Sequence, residues 1–452
     1  MTSKTHFIGI GGAGMSAIAR VMHHRGESVS GSDQKRSTTT DTLLSEGIDV
    51  KIGHDTANVK GASLVVYSAA VPKDNPERME AVRLGIPVIS RAEMLGRLMK
   101  PYHHRIAITG THGKTTTTSM VSMVLSAAEL DPTVLIGGDL NALGGNARVG
   151  DKSLFVAEAC EAFNSFLDLY PSIAAITNID ADHLDYHGTL ENIIKSFEKF
   201  ISQVDDDGCV IACVDDPNVR GILKNVSKRV IGYSVNGTGD IRAEDISVDS
   251  PQASYELVKD GKKLGRVTLG VTGMQNIANS LAAAAIGFEL GVSFDAIRAG
   301  LADFTGTSRR FEQISTINDI MIVDDYAHHP TEIKATLTSA RAGWHRRIVA
   351  VFQPHLYSRT DFFAKEFAGS LSNADVVVVT GIYAAREKPI DGVTAEMIAS
   401  KIDGDKVHYI PDKSKIVEFL LTEIRPGDMV ITIGAGDIRT VGEDLAVELG
   451  NR

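Results

Sequence analysis

Cysteine is scarce, with three in 452 residues. Two of them, Cys209 and Cys213, sit inside the apolar run GCVIACV, where packing within a strand accounts for them better than a metal knuckle does. Long apolar runs are also missing: no stretch of about 18 apolar residues occurs, which excludes membrane insertion by a helix. The opening MTSKTHFIGIGG enters a strand and a Gly-rich turn without the apolar core of a signal peptide, so a cytoplasmic location is expected. No block of Lys and Arg interrupts a chain of formal net charge -11, which excludes a nucleic-acid surface. Low-complexity tracts and repeats of fixed period are absent as well, and a solenoid is excluded with them.

What is present is ordinary globular material, 43% hydrophobic and 23% charged. At 452 residues the chain exceeds what one core organises, and three α/β domains are expected. Over residues 1–102, HFIGI, Met15 to His24, SVSGSD, SLVVYSAA and IPVIS alternate strand and helix patterns, predicting an N-terminal Rossmann-like domain on a parallel sheet. Pro101 to His104 breaks that pattern. Residues 103–310 restart it, pass through LFVAEA and IAAITNI, cross a polar stretch from Gly232 to Gly265 read as a β-rich insertion, and reach the helix IANSLAAAAIGFELG. A central P-loop ATPase-type domain with a parallel sheet is predicted there. After Arg310 and Phe311, the runs IMIVDDY, RIVAVFQ, DVVVVTGIY and DMVITIGAGD predict a third, Rossmann-like α/β domain over 311–452.

The first Gly-rich turn, Gly9-Ile-Gly11-Gly12-Ala13-Gly14, follows a strand and opens a helix. Backbone N–H groups and the helix dipole then meet a diphosphate, and Asp33 at the end of the next strand is placed to bond a ribose or base. The pattern is the dinucleotide fingerprint, yet its physics recognises a diphosphate rather than nicotinamide, so UDP satisfies it as well as NAD.

The second turn, Gly110-Thr111-His112-Gly113-Lys114-Thr115-Thr116, lies between the strand RIAIT and a Thr-rich helix. Its backbone amides suit phosphate oxygens, Lys114 suits the β/γ region of ATP, and the Thr115 hydroxyl suits Mg²⁺. Ile108 stands where the usual spacing has glycine, so the loop is a variant. Hydride transfer needs no γ-phosphate, whereas an ATP-driven reaction on a nucleotide-linked substrate uses both turns. Downstream, Glu158 and Glu161 follow one strand, and Asn178-Ile-Asp180-Ala-Asp182-His183-Leu-Asp185 follows another, gathering carboxylates and an imidazole where open α/β sheets bind ligands.

Taken together, GIGGAGMSAIA, GTHGKTTTT, VAEACE, TNIDADHLDYHG, GMQNIANSLAAAA, GTSRRFE, DDYAHHPTE and FQPHLYSRT resemble the Mur ligases, in family order and across essentially the whole chain. The resemblance implies a UDP-binding domain, a central ATPase domain and a C-terminal domain that brings the amino-acid site. It implies ATP-dependent joining of L-alanine to the carboxylate of UDP-N-acetylmuramate through an acyl phosphate, the first peptide-adding step of peptidoglycan precursor synthesis. ATP and Mg²⁺ are the implied cofactors, and a monomer or homodimer is expected.

Carried over by motif, the UDP-substrate set is Gly11, Gly12, Ala13, Gly14, Asp33 and Ser68. Gly110 to Thr116, Asn276 and Asp324 form the ATP set, with Asn276 toward adenine. Thr115, Glu158 and His183 are the implied metal ligands. Lys114, His183, Arg310 (or its neighbour Arg309) and His328 are the implied catalytic groups. His328, His355 and Arg359 are the implied alanine set, Arg359 suiting a carboxylate by its planar fork.

The chain departs from the family at Leu356, where many relatives carry a basic residue, and in the run EACEAF. No counterpart of the carbamylated lysine of other members is assigned, although Lys195 and Lys199 follow His183. A plainer role for His329 is to cap the helix starting near Thr331. The rival readings are a family member that recycles an intact murein peptide, and an NAD-dependent oxidoreductase, which leaves Gly110 to Thr116 without a purpose. A folate-type ligase lacks the first domain, and a module that only hydrolyses ATP would make no ligated product.

Overall fold

The computed structural model describes residues 3–140, 145–150 and 153–451. Strands β1 (Lys4–Ile8), β2 (Ser28–Asp33), β3 (Asp49–Ile52), β4 (Leu64–Tyr67) and β5 (Val88–Ser90) form a parallel sheet in the order β3-β2-β1-β4-β5. The order reverses beside β1, so the loops after β1 and β4 diverge there and leave a crevice at the carboxyl ends of the strands.

The next sheet begins with β6 (His104–Thr109), β7 (Thr133–Leu140), β8 (Gly145–Arg148), β9 (Leu154–Glu158), β10 (Ile173–Ile176), β11 (Cys209–Cys213) and β12 (Arg229–Ser234), in the order β12-β11-β10-β6-β9-β7-β8. It is mixed rather than parallel, because β8 returns antiparallel to β7. β11 is buried along its whole length, and Cys209 and Cys213 are packed side chains with free thiols. Parallel strands covered on both faces take such uninterrupted apolar sequences. The expected β-rich insertion is formed by β13 (Ile241–Ser247), β14 (Ser254–Lys259) and β15 (Lys262–Thr268).

The last sheet comprises β16 (Glu312–Ile317), β17 (Ile320–Asp325), β18 (Arg347–Phe352), β19 (Val376–Val379), β20 (Val407–Tyr409) and β21 (Asp428–Ile433), ordered β16-β17-β21-β18-β19-β20. It is parallel except at β16, which pairs antiparallel with β17. The two strands are joined by Asn318 and Asp319, both at positive φ (50° and 59°). Such left-handed pairs close tight hairpins, and Asn and Asp accept that conformation most readily after Gly.

Helix starts follow local chemistry. Ser37 forms a capping box with Thr40, while Asn75 and Asp216 cap helices whose first residue is proline. Contact clustering yields two compact units, one of Met1–Arg242, Val258–Lys262 and Asn279–Leu301, the other of Ala243–Leu257, Lys263–Ala278 and Ala302–Arg452. Among the described residues no helix is long and apolar enough to cross a membrane.

Candidate active site

Gly9, at φ 79°, turns the chain out of β1, and the Gly9 and Ile10 N–H groups donate to Ser32 O at 2.8 and 3.0 Å. The Gly11 N–H donates to Asp33 Oδ2 at 2.9 Å. Asp33 therefore shapes the turn itself with one of its carboxylate oxygens. Gly12 caps the helix Ala13–His24 without a side-chain hydrogen bond, leaving the dipole end to backbone N–H groups. Ser68 follows β4 and accepts from the Ala70 N–H at 3.4 Å, with its Cβ just beyond where a Cβ on Gly9 would stand. Asn146 binds the far side of the same helix start, donating to Ala13 O at 2.8 Å.

The second turn is stitched to the loop after β10. Thr111 N–H donates to Asn178 O, His112 N–H donates to Asn178 Oδ1 at 2.8 Å, and Asn178 Nδ2 returns to His112 O at 3.0 Å. Gly110 (φ 133°) and Gly113 (φ 83°) occupy left-handed backbone. A Cβ on Gly110 would lie 2.0 Å from Thr177 Oγ1, and one on Gly113 would lie 2.6 Å from Asn279 Oδ1. Only glycine meets both demands. Gly113 then opens the helix Lys114–Ala127 with its N–H groups toward the loop.

Lys114 Nζ donates to Gly110 O at 2.6 Å, to Thr111 O at 3.0 Å and to Glu161 Oε2 at 2.9 Å. Burial pushes this ammonium down, and the charge of Glu161 more than reverses it, holding the group above the usual lysine range. It is therefore a fixed cation. The Thr115 hydroxyl donates to Glu158 Oε2 at 3.2 Å, and Glu158 Oε1 accepts the Gly137 N–H at 2.6 Å. His183, at φ 53°, brings Nε2 to 3.9 Å from Glu161 Oε1 and to 3.9 Å from Asp182 Oδ2. Phe163 and Asn164, just past Glu161, are also left-handed at φ 55° and 57°. Strained backbone of this kind concentrates at functional sites. Thr116 follows on the first helical turn, half-buried.

The second unit carries its own cluster. Arg309, itself left-handed, donates to Asp324 Oδ2 at 3.0 Å and to Gly434 O at 2.8 Å. Asp324 is fully buried and also accepts from the Thr432 hydroxyl at 2.8 Å. It thus supports Arg309 from a buried position. Arg309 and Arg310 both lie by the Tyr326 ring, their guanidinium carbons 4.9 and 5.2 Å from its centroid. Arg310 also approaches Glu332 at 3.9 Å. Burial pushes the neighbouring Asp325 carboxyl up to about 6 against the pull of Arg310.

His328 donates through Nδ1 to Tyr326 O at 3.0 Å, and its ring centroid lies 5.9 Å from that of His355. His355 stacks on Tyr383 at 5.8 Å and accepts from Arg359 at 3.5 Å. His328, His355 and Arg359 are thereby brought together. Leu356 between them has φ 70° and ψ 139°, a conformation close to glycine's own territory, and its side chain is buried. Leu356 is thus a packed, strained apolar residue. His329 takes the plain role: it is the N-cap of Pro330–Gly343 and accepts the Thr331 N–H at 3.3 Å.

Asn276 donates its amide to Thr272 O at 2.7 Å. Asn279, one turn on, accepts from the Thr117 hydroxyl at 3.1 Å, and its Oδ1 is the atom that a Cβ on Gly113 of the phosphate loop would meet. Neither Asn279 nor Glu161 belonged to the expected ligand sets. A polar residue on an Ala-rich helix was the available signal for Asn279, and the second acid of EACE was the signal for Glu161.

Residues 4–103, 108–287 and 309–436 match three family descriptions: "Mur ligase family, catalytic domain", "Mur ligase middle domain" and "Mur ligase, glutamate ligase domain". The chain is 48% identical over 442 residues to the UDP-N-acetylmuramate--L-alanine ligase of Acetivibrio thermocellus, covering 97% of this chain and 94% of that one. It is 48% identical over 451 residues to the ligase of the same name from Pelobacter propionicus, covering 99% and 98%. Among solved structures, the UDP-N-acetylmuramate-alanine ligase of Thermotoga maritima superposes with a TM-score of 0.85 at 30% identity, covering 99% of each chain. A murein peptide ligase from Psychrobacter arcticus gives 0.73 at 26%, covering 100% of this chain and 99% of that one.

Proposed function

Because the chain belongs to the Mur ligase family, we propose that it is an ATP-dependent ligase joining L-alanine to the carboxylate of UDP-N-acetylmuramate. The observation that carries the reading is Lys114 locked as a cation beside Glu161 and His183 at the carboxyl ends of β6, β9 and β10. Phosphoryl transfer needs fixed positive charge and preorganised donors at that place, with little covalent work from the protein.

Roles divide along the chain as 1–102 for the UDP-substrate, 103–310 for ATP and 311–452 for the amino acid. Gly11, Gly12, Ala13 and Gly14 present N–H groups to the diphosphate, Asp33 holds the turn, and Ser68 lines its rim. Gly110 to Thr116 wrap the triphosphate of ATP, and Lys114 exchanges its loop carbonyls for phosphate oxygens. The muramoyl carboxylate attacks the γ-phosphorus and ADP leaves, giving an acyl phosphate. The alanine amine then adds to the acyl carbon, phosphate departs, and an amide remains. His328 is suited to take the ammonium proton, and Arg359 with His355 to hold the alanine carboxylate. Arg310 is suited to the developing phosphoryl charge, Arg309 is fixed by Asp324, and Asn276 is kept as the adenine contact.

The Thr115 hydroxyl and the Glu158 carboxylate already touch. A hard oxygen set of this type suits Mg²⁺, held by Thr115 and Glu158 with His183 completing the set. When bound, the ion supplies charge neutralisation on the phosphates.

The assay is purified protein with ATP, Mg²⁺ and UDP-N-acetylmuramate, offered L-alanine, glycine, L-serine or a muropeptide, with ADP release and product mass followed. A product heavier by one alanyl residue, formed only with L-alanine and UDP-N-acetylmuramate together, is expected. Ligation of the muropeptide alone would transfer the assignment to the recycling branch. Reduction of NAD, the other rival, leaves Gly110 to Thr116 without a purpose.

A further inference from the structure

Arg91 opens the helix Arg91–Met99, directly after the Ser90 N-cap at the end of β5. Its side chain runs back to the first turn: a Cβ placed on Gly14 would lie 2.8 Å from Arg91 Nη1, 3.1 Å from Cδ and 3.4 Å from Cζ. Gly14 is the last glycine of the fingerprint, and here its missing side chain makes room for a guanidinium. Other arginines of this domain are engaged. Arg20 grips Glu46 with two nitrogens, and Arg78 donates to Val71 O and covers the Tyr67 ring. Arg91, among the described residues, makes neither an ion pair nor a side-chain hydrogen bond.

A half-buried cation without a carboxylate partner, set against the positive end of the helix Ala13–His24, is unfavourable in the empty protein. An anion at the turn reverses the sign of both terms.

We propose that Arg91 is a substrate-binding residue that pairs with the diphosphate of the UDP-linked substrate. The assignment rests on the proposed nucleotide role of the Gly9–Gly14 turn. It gives Gly14 a purpose that helix packing does not, since the space at Gly14 is filled by the guanidinium. Fork geometry makes arginine the natural partner for two adjacent phosphate oxygens.

The test uses Arg91→Ala and Arg91→Lys in the full chain, with calorimetric titration of UDP and of UDP-N-acetylmuramate, steady-state kinetics, and melting temperatures without ligand. For Arg91→Ala the expected result is about a tenfold or greater loss of affinity for both nucleotides, by a similar factor, as for loss of a charge-assisted contact. KM for UDP-N-acetylmuramate should rise with it, while kcat and the KM values for ATP and L-alanine stay within about twofold. Arg91→Lys should recover part of the affinity. The unliganded melting temperature should hold or rise, because an unpaired cation has been removed, whereas a merely structural arginine would lower it.

Unchanged UDP affinity in Arg91→Ala would overturn the proposal. Loss confined to UDP-N-acetylmuramate, with UDP unaffected, would also overturn it, since the partner would then be the muramoyl carboxylate. Failure of the wild-type protein to bind either nucleotide would remove the reading of the turn, and the proposal with it.

Discussion

Single residues here are set by what they touch. Glu77 is fully buried in the first unit, yet it accepts from Ser32 Oγ, from Asn58 Nδ2 at 2.6 Å and from the Asp55 N–H at 3.3 Å, with His6 Nε2 3.4 Å away. Burial pushes its carboxyl up, and the bonds from His6, Ser32 and Asn58 outweigh that, bringing it down from 4.5 to about 2. A folded value below the unfolded one stabilises above pH 4.5, and the contribution is lost as pH falls toward about 2. The shift corresponds to on the order of 3 kcal/mol at neutral pH. Urea melts of Glu77→Gln and wild type at pH 6 and pH 3 should therefore converge at the lower pH. A constant gap between the two curves would contradict the assignment. Ser32 also carries the carbonyl that binds the Gly9 and Ile10 N–H groups, so this buried carboxylate underlies the first turn.

At the level of elements, close backbone approach decides which helices are placed. The helix Arg91–Met99 lies so near the segment Ala162–Asp168 that a Cβ on Gly96 would stand 2.0 Å from Asp168 O. Gly96→Ala should destabilise by about 1–3 kcal/mol, an overpacking effect that exceeds the gain in helix propensity. Because one element carries Arg91 and the other follows Glu161, its affinity for UDP-N-acetylmuramate should fall as well. Full stability in a denaturant melt would show that the elements separate without strain. Caps are more forgiving. His329→Ala removes one N-cap bond, and the loss should be about 1 kcal/mol with KM for L-alanine little changed. A large rise in that KM would place His329 in the amino-acid site.

Across the molecule, two nucleotide-type turns occupy separate sheets, so their ligands should stabilise the protein separately. A ligand at about 100 times its Kd adds about 2.7 kcal/mol to the unfolding free energy. Thermal shift measurements should show gains from UDP-N-acetylmuramate and from Mg²⁺-ATP. Lys114→Ala should lose the ATP gain and nearly all turnover while keeping UDP-N-acetylmuramate affinity within a few-fold. Equal loss of both affinities would mean that the two turns are not independent sites.

Both glycine turns, the βα alternation, the buried strand GCVIACV and the family were legible from residue types and spacing alone. These are local properties: φ demands on glycine, periodicity, and short motifs whose atoms lie within a few residues of one another. The antiparallel returns of β8 and β16 were not legible, since strand direction depends on pairing rather than on apolar content. Tertiary structure alone decided that Asp33 closes its own turn, that Asp324 supports Arg309 from a buried position, and that Asn279 stands against Gly113 of the phosphate loop. It also decided that Arg91, more than seventy positions from Gly14, fills the space that glycine leaves. A charge's role is set by the partners folding brings to it, and partners distant along the chain leave no mark on its spacing.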